Sequence, residues 1–116
     1  MTIKIYHNPK CSKSRQALGL LTDRGLDVRI VAYLEEPPSE DELAAIVKKL
    51  GIAPRDLLRT SEPEYRRLAL DSKALSDTEI LRAIAEHPIL MQRPIVVSKR
   101  GARIGRPPEL ILEIVE

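Results

Sequence analysis

The chain has 116 residues, with 19 Lys and Arg against 17 Asp and Glu and a formal net charge of +2. That length fits one compact domain with one core. Apolar residues at 43% exclude a disordered chain, and the near-balance of charge gives no case for general nucleic-acid binding. Phe and Trp are absent and the tyrosines Tyr6, Tyr33 and Tyr65 are scattered, so the core must be aliphatic and there is no platform for stacking bases. No apolar run approaches the roughly 18–20 residues of a membrane span. Met1-Thr2-Ile3-Lys4 runs into a strand with no apolar leader, so the cytoplasm is the expected compartment.

Ile3 to Tyr6 reads as a first strand. Ser12 to Arg24 follows as a helix, with Gly25 as its stop. Val28 to Tyr33 is β-branched and apolar enough for a second strand, which makes a βαβ unit with a right-handed parallel crossover. Pro37-Pro38 breaks the chain. Ser39-Glu40-Asp41-Glu42 has the form of a capping box, and Leu43, Ile46, Val47 and Leu50 follow at helical spacing to Gly51. Pro54 opens a short helix through Arg55 and Leu58. Residues 62–68 predict another. Ser76-Asp77-Thr78-Glu79 is a second capping box, leading Ile80, Leu81 and Ile84 to a stop at His87-Pro88.

Pro94 to Ser98 is a strand, Lys99-Arg100-Gly101 a turn, and Ala102 to Ile104 the returning strand of a hairpin. Pro107-Pro108 starts a last helix with Leu110, Ile111 and Ile114 on one side. The order is βαβ, a helical insertion over about 39–88, then ββα. The expected fold is therefore α/β: a small mixed sheet in one domain spanning 1–116, in the order of a thioredoxin-like core with an insertion.

The only cysteine, Cys11, sits at the first strand-to-helix turn. There the helix N–H groups are unpaired and the dipole is positive, and both favour the nucleophilic thiolate. A lone cysteine is most often a small buried hydrophobe. Its neighbours His7, Lys10, Ser12, Lys13, Ser14 and Arg15 instead suit a partly exposed, activated thiol. Any redox cycle must borrow its second thiol from another molecule. His7 reads as a neutral base, as an imidazolium that favours the thiolate, or as a surface histidine at a strand end.

Arg59, Arg93 and Arg106 each lie at an element boundary, where binding residues concentrate. Their planar guanidiniums suit bidentate contact with tetrahedral oxyanions, although arginines at such places usually face solvent or cap carbonyls. Spacing alone does not bring the three together. A metal site is not expected: the two histidines and Cys11 fall short of the usual four ligands of structural zinc. The glycines are too dispersed for a phosphate loop.

The run His7-Asn8-Pro9-Lys10-Cys11-Ser12-Lys13-Ser14-Arg15 resembles the N-terminal motif of the glutaredoxin-coupled arsenate reductases. So do Tyr33-Leu34-Glu35-Glu36-Pro37-Pro38, Leu57-Leu58-Arg59, the run from His87 to Val97, and Ile104-Gly105-Arg106-Pro107. The resemblance covers almost the whole chain, in order. It implies a thioredoxin-like fold and the reduction of arsenate to arsenite, with glutathione as co-substrate, glutaredoxin as partner and no bound cofactor. It also implies that Cys11 is the nucleophile and that His7 lies near the thiol and favours its ionised form. Ser14 would hydrogen-bond the thiolate. Arg59, Arg93 and Arg106 would cage the oxyanion, and Pro94 would be a cis proline beside the cysteine. The expected protein is a monomer with no nucleic-acid or membrane partner. Two alternatives stand beside this reading. One is a redox-sensitive regulator resembling the Spx proteins, which bind RNA polymerase but commonly carry Cys-x-x-Cys where Ser14 stands here. The other is a glutathione-linked thiol-transferase with another substrate.

Overall fold

A computed structural model describes residues 2–115 of the chain. Met1 and Glu116, the ends of the expected domain, lie outside the described residues. The chain forms two compact units, Met1–Glu36 with Arg93–Glu116, and Pro37–Gln92.

The first unit is built on a four-stranded sheet in the order β2-β1-β3-β4. Its strands are β1 (Ile3–His7), β2 (Val28–Ala32), β3 (Ile95–Ser98) and β4 (Gly101–Ile104). β1 and β2 are parallel, joined through helix α1 (Ser12–Asp23), while β1–β3 and β3–β4 are antiparallel. Register puts Ile3 opposite Val28 and Ile5 opposite Val96, so these side chains share one face. That face packs on Ala17 and Leu21 of α1 and on Ile111 and Ile114 near the C-terminus. Each such buried Val, Leu or Ile side chain is worth about 1.5–3 kcal/mol over its exposed state. Gly25 stops α1 with a φ of +68°, where a Cβ would be strained. This is the thioredoxin-like arrangement that the element order implied.

The C-terminal segment departs from expectation. Pro108–Ile114 is a 3-10 helix rather than an α-helix, and its buried residues are Pro108, Ile111 and Ile114. Their spacing of three matches three residues per turn, so one line of side chains meets the core. Leu110, expected on the same side, stands only half-buried.

The second unit is helical. Helix α2 (Glu40–Leu50) buries Leu43, Ile46 and Val47, and helix α4 (Asp77–Glu86) buries Ile80, Leu81 and Ile84. The two pack on one another. Ser39 caps α2 by accepting the Glu42 N–H, and Gly51 ends it in the left-handed region. The box at Ser76 is reciprocal: Ser76 Oγ accepts the Glu79 N–H, and Glu79 Oε1 accepts the Ser76 N–H. Hydrogen bonding from the Ser76 backbone N–H first, and then from the Ser76 side chain, holds the Glu79 carboxyl below its usual range. Pro54–Leu57 is a 3-10 turn, and α3 spans Pro63–Arg67. Leu58, expected inside the short helix, is extended and bridges to Met91. The bridge is flanked by Arg59 N–H to Leu90 O at 2.7 Å and Gln92 N–H to Leu57 O at 2.8 Å. Among the described residues, no helix is long and apolar enough to cross a membrane.

Candidate active site

β1 ends at His7, and Asn8 to Cys11 form the tight turn into α1. The Cys11 N–H donates to Asn8 O at 3.0 Å, and the Lys10 N–H donates to Asn8 Oδ1 at 3.0 Å. Arg15 reaches back from the first turn of the helix to donate from Nη1 to Pro9 O at 2.7 Å. Cys11 is the N-cap of α1, in extended conformation, and its carbonyl accepts the Arg15 N–H at 3.0 Å. The helix has no side-chain cap and no acidic residue in its first turn. Its leading N–H groups and positive dipole end are therefore suited to an anion.

Cys11 is only 7% exposed, where its polar neighbours had pointed to a partly exposed thiol. The reason is helical phase. Cys11, Ser14, Ala17 and Leu21 are the buried line at spacings of three and four, while Ser12, Lys13 and Arg15 fall on the exposed side.

Ser14 is fully buried. Its Oγ accepts the Asn8 N–H at 3.0 Å and lies 2.5 Å from His7 Nδ1. The hydroxyl expected on the thiolate is thus engaged with His7 and the turn. His7 is itself buried, and burial first, then the nearby Arg15 charge, lower its pKa from the ordinary 6.5. Of the readings open for His7, this shift disfavours the imidazolium, and burial sets the surface histidine aside.

Arg106, just past β4, places Nη2 at 3.8 Å from Cys11 Sγ and donates from Nε to the Arg93 carbonyl at 2.8 Å. Arg93 stands before a cis peptide bond to Pro94, and Arg106 before another to Pro107. Arg93 Nε is buried and has no partner among the described residues, an unusual state for a guanidinium N–H. Arg59 lies in the helical unit, where Nη1 pairs with Glu62 Oε1. Two of the expected arginines therefore belong to the unit that holds Cys11, and Arg106 touches the thiol.

Sequence reasoning passed over Asn8, Gly105 and Glu62. Asn8 organises the turn with its side chain, its N–H and its carbonyl, and the Asn-Pro pair was its signal. Gly105 carries the chain past Pro94: a Cβ there would meet Pro94 Cγ at 2.8 Å and Ile111 Cγ2 at 3.3 Å. Among the described residues, no group of three or more His, Cys, Asp and Glu could hold a metal ion.

A thioredoxin-like sheet unit with one cysteine at an uncapped helix N-terminus, faced by an arginine, defines a class of thiol proteins that handle anions. The ArsC family model matches residues 6–114, and the chain belongs to the ArsC family. The chain is 48% identical over 116 residues to the arsenate reductase of Haemophilus influenzae, across 99% of this chain and 100% of that protein. It is 47% identical over 114 residues to the uncharacterised protein YfgD of Escherichia coli, across 97% of this chain and 96% of that one. A solved structure of an arsenate reductase from Vibrio cholerae superposes with a TM-score of 0.96 at 48% identity, covering 98% of each chain.

Proposed function

We propose that this protein reduces arsenate to arsenite with glutathione and glutaredoxin as its reductants. The observation that carries the reading is the Arg106 guanidinium 3.8 Å from Cys11 Sγ at the open end of α1. A cation and a positive dipole end at one sulfur offset the repulsion between thiolate and oxyanion. The names of close relatives support arsenate as the anion.

In the proposed cycle the Cys11 thiolate attacks arsenic(V). An S–As bond forms, and one oxygen leaves as water after taking up protons. Arg93 and Arg106 bind the remaining oxygens, and Arg59 supplies a third guanidinium by its match to the family motif. His7, whose lowered pKa disfavours the charged form, is held through Ser14 and is assigned to orient the turn and accept a proton near the thiol. The sulfur of glutathione then attacks Cys11 Sγ. The S–As bond breaks with its electron pair going to arsenic, which leaves as arsenite, and a Cys11–glutathione disulfide remains. Two electrons pass from two thiols to arsenic. A glutaredoxin thiolate attacks the glutathione sulfur and frees Cys11. With one cysteine in the chain, no internal disulfide can serve this step.

The test is NADPH oxidation coupled through glutathione reductase, with arsenate, glutathione and glutaredoxin supplied. Oxidation that depends on all of them and vanishes in Cys11→Ser is expected. Turnover of a small disulfide with no response to arsenate would replace this reading with a thiol-transferase.

A further inference from the structure

Arg59 is held by more than its own backbone. Its N–H donates to Leu90 O at 2.7 Å, and its carbonyl accepts the Glu62 N–H at 3.2 Å, closing a turn. Pro63, the next residue, starts α3 with Glu62 as its N-cap. The turn thus fixes both ends of the ion pair between Arg59 Nη1 and Glu62 Oε1. These side chains are 16% and 17% exposed, against 40% and 55% for the pair Arg103–Glu113.

A shielded ion pair contributes little net stability compared with apolar side chains of similar size, because both charges lose water. What it does fix is direction. With Nη1 committed to Glu62, the Nε–Nη2 edge of Arg59 stays uncommitted among the described residues. That edge is a planar two-donor fork of the kind that grips an oxyanion.

We infer that Glu62 is a positioning residue for arsenate: it holds the Arg59 guanidinium in one orientation and leaves its Nε–Nη2 edge free to donate. This rests on the reading that Arg59 binds arsenate. The carboxylate also offsets part of the arginine's charge, so the pair offers donors more than net charge.

The experiment compares KM and kcat for arsenate in the coupled assay for Arg59→Ala, Glu62→Ala, Glu62→Gln and the Arg59→Ala/Glu62→Ala double variant, with Tm measured for each. Freeing one long side chain from its fixed rotamer weakens binding by about three- to tenfold. Glu62→Ala should raise KM by that amount with little change in kcat. Glu62→Gln, whose Oε1 still accepts from Nη1, should recover most of the loss. In the Arg59→Ala background, Glu62→Ala should add nothing. Wild-type KM in Glu62→Ala, where Arg59→Ala raises KM, overturns the role of Glu62 and leaves Arg59 in place. A fall in Tm and kcat with KM unchanged, or no recovery in Glu62→Gln, overturns it as well. If Arg59→Ala itself has wild-type KM, the assignment of Arg59 to arsenate fails, and the role of Glu62 with it.

Discussion

At the scale of residues, the site divides into what spacing could show and what only burial could. Cys11 at a strand-to-helix turn was legible, because the apolar run before it and the helical pattern after it locate the turn. Its burial was not, since flanking charges say nothing of which helix face the cysteine takes. Arg106 was legible as a boundary arginine, and its contact with Sγ depends on a hairpin closing from far along the chain. Charge-assisted hydrogen bonds are worth about 1.5–3 kcal/mol each. Arg106→Ala should therefore lower kcat/KM for arsenate by about ten- to a hundredfold. Arg106→Lys should recover only part, since it keeps the charge and loses the Nε bond to the Arg93 carbonyl.

His7 offers a second test at this scale. Burial and Arg15 lower its pKa below 6.5, so an imidazole NMR titration should show a midpoint under that value. Arg15→Ala should move the midpoint upward. The sign for stability follows from linkage. Between the unfolded value of 6.5 and the lower folded one, the unfolded chain binds the proton and the folded chain does not. Stability from this group is therefore present above pH 6.5 and is lost as pH falls through the folded value. Denaturation midpoints of His7→Gln should fall less steeply over that window than those of the parent chain.

At the scale of elements, local chemistry was read best where caps and periodicity agree. The Ser76 box bears this out in both of its bonds. Ser76→Ala should destabilise the protein by about 0.5–2 kcal/mol in denaturant titrations, the usual cost of losing such a cap. The last segment was misread because Leu110, Ile111 and Ile114 fit an α-helical face as well as a 3-10 one, and only contact with the sheet separates them. Leu58 was misread because its partner, Met91, is remote in sequence. Gly105 was passed over since nothing in its flanks announces Pro94 as a neighbour. At that position Ala would place a Cβ 2.8 Å from Pro94 Cγ, so either the loop or the proline ring must shift. Gly105→Ala should lower Tm and, because Arg106 is the next residue, also lower arsenate kcat/KM. A variant unchanged in both would show that this close approach is dispensable.

At the scale of the whole molecule, the βαβ, insertion and ββ order was legible because the strands are short runs holding Ile or Val, with Gly or Pro at or near their ends. The division of the three arginines was not, since spacing alone does not say that Arg93 and Arg106 fall in the unit of Cys11 and Arg59 in the helical one. The strongest whole-chain constraint is the count of one cysteine, which decides how oxidised states of this protein must look. With arsenate and glutathione present and glutaredoxin withheld, the cycle should stall at the Cys11–glutathione disulfide. Intact mass should then rise by one glutathione, the peptide containing Cys11 should carry it, and Cys11→Ser should carry none. Adding glutaredoxin should return the mass to that of the free thiol while arsenite accumulates. If the protein stays an unmodified thiol while arsenate is being consumed, the electrons do not pass through Cys11, and the cycle proposed above is wrong.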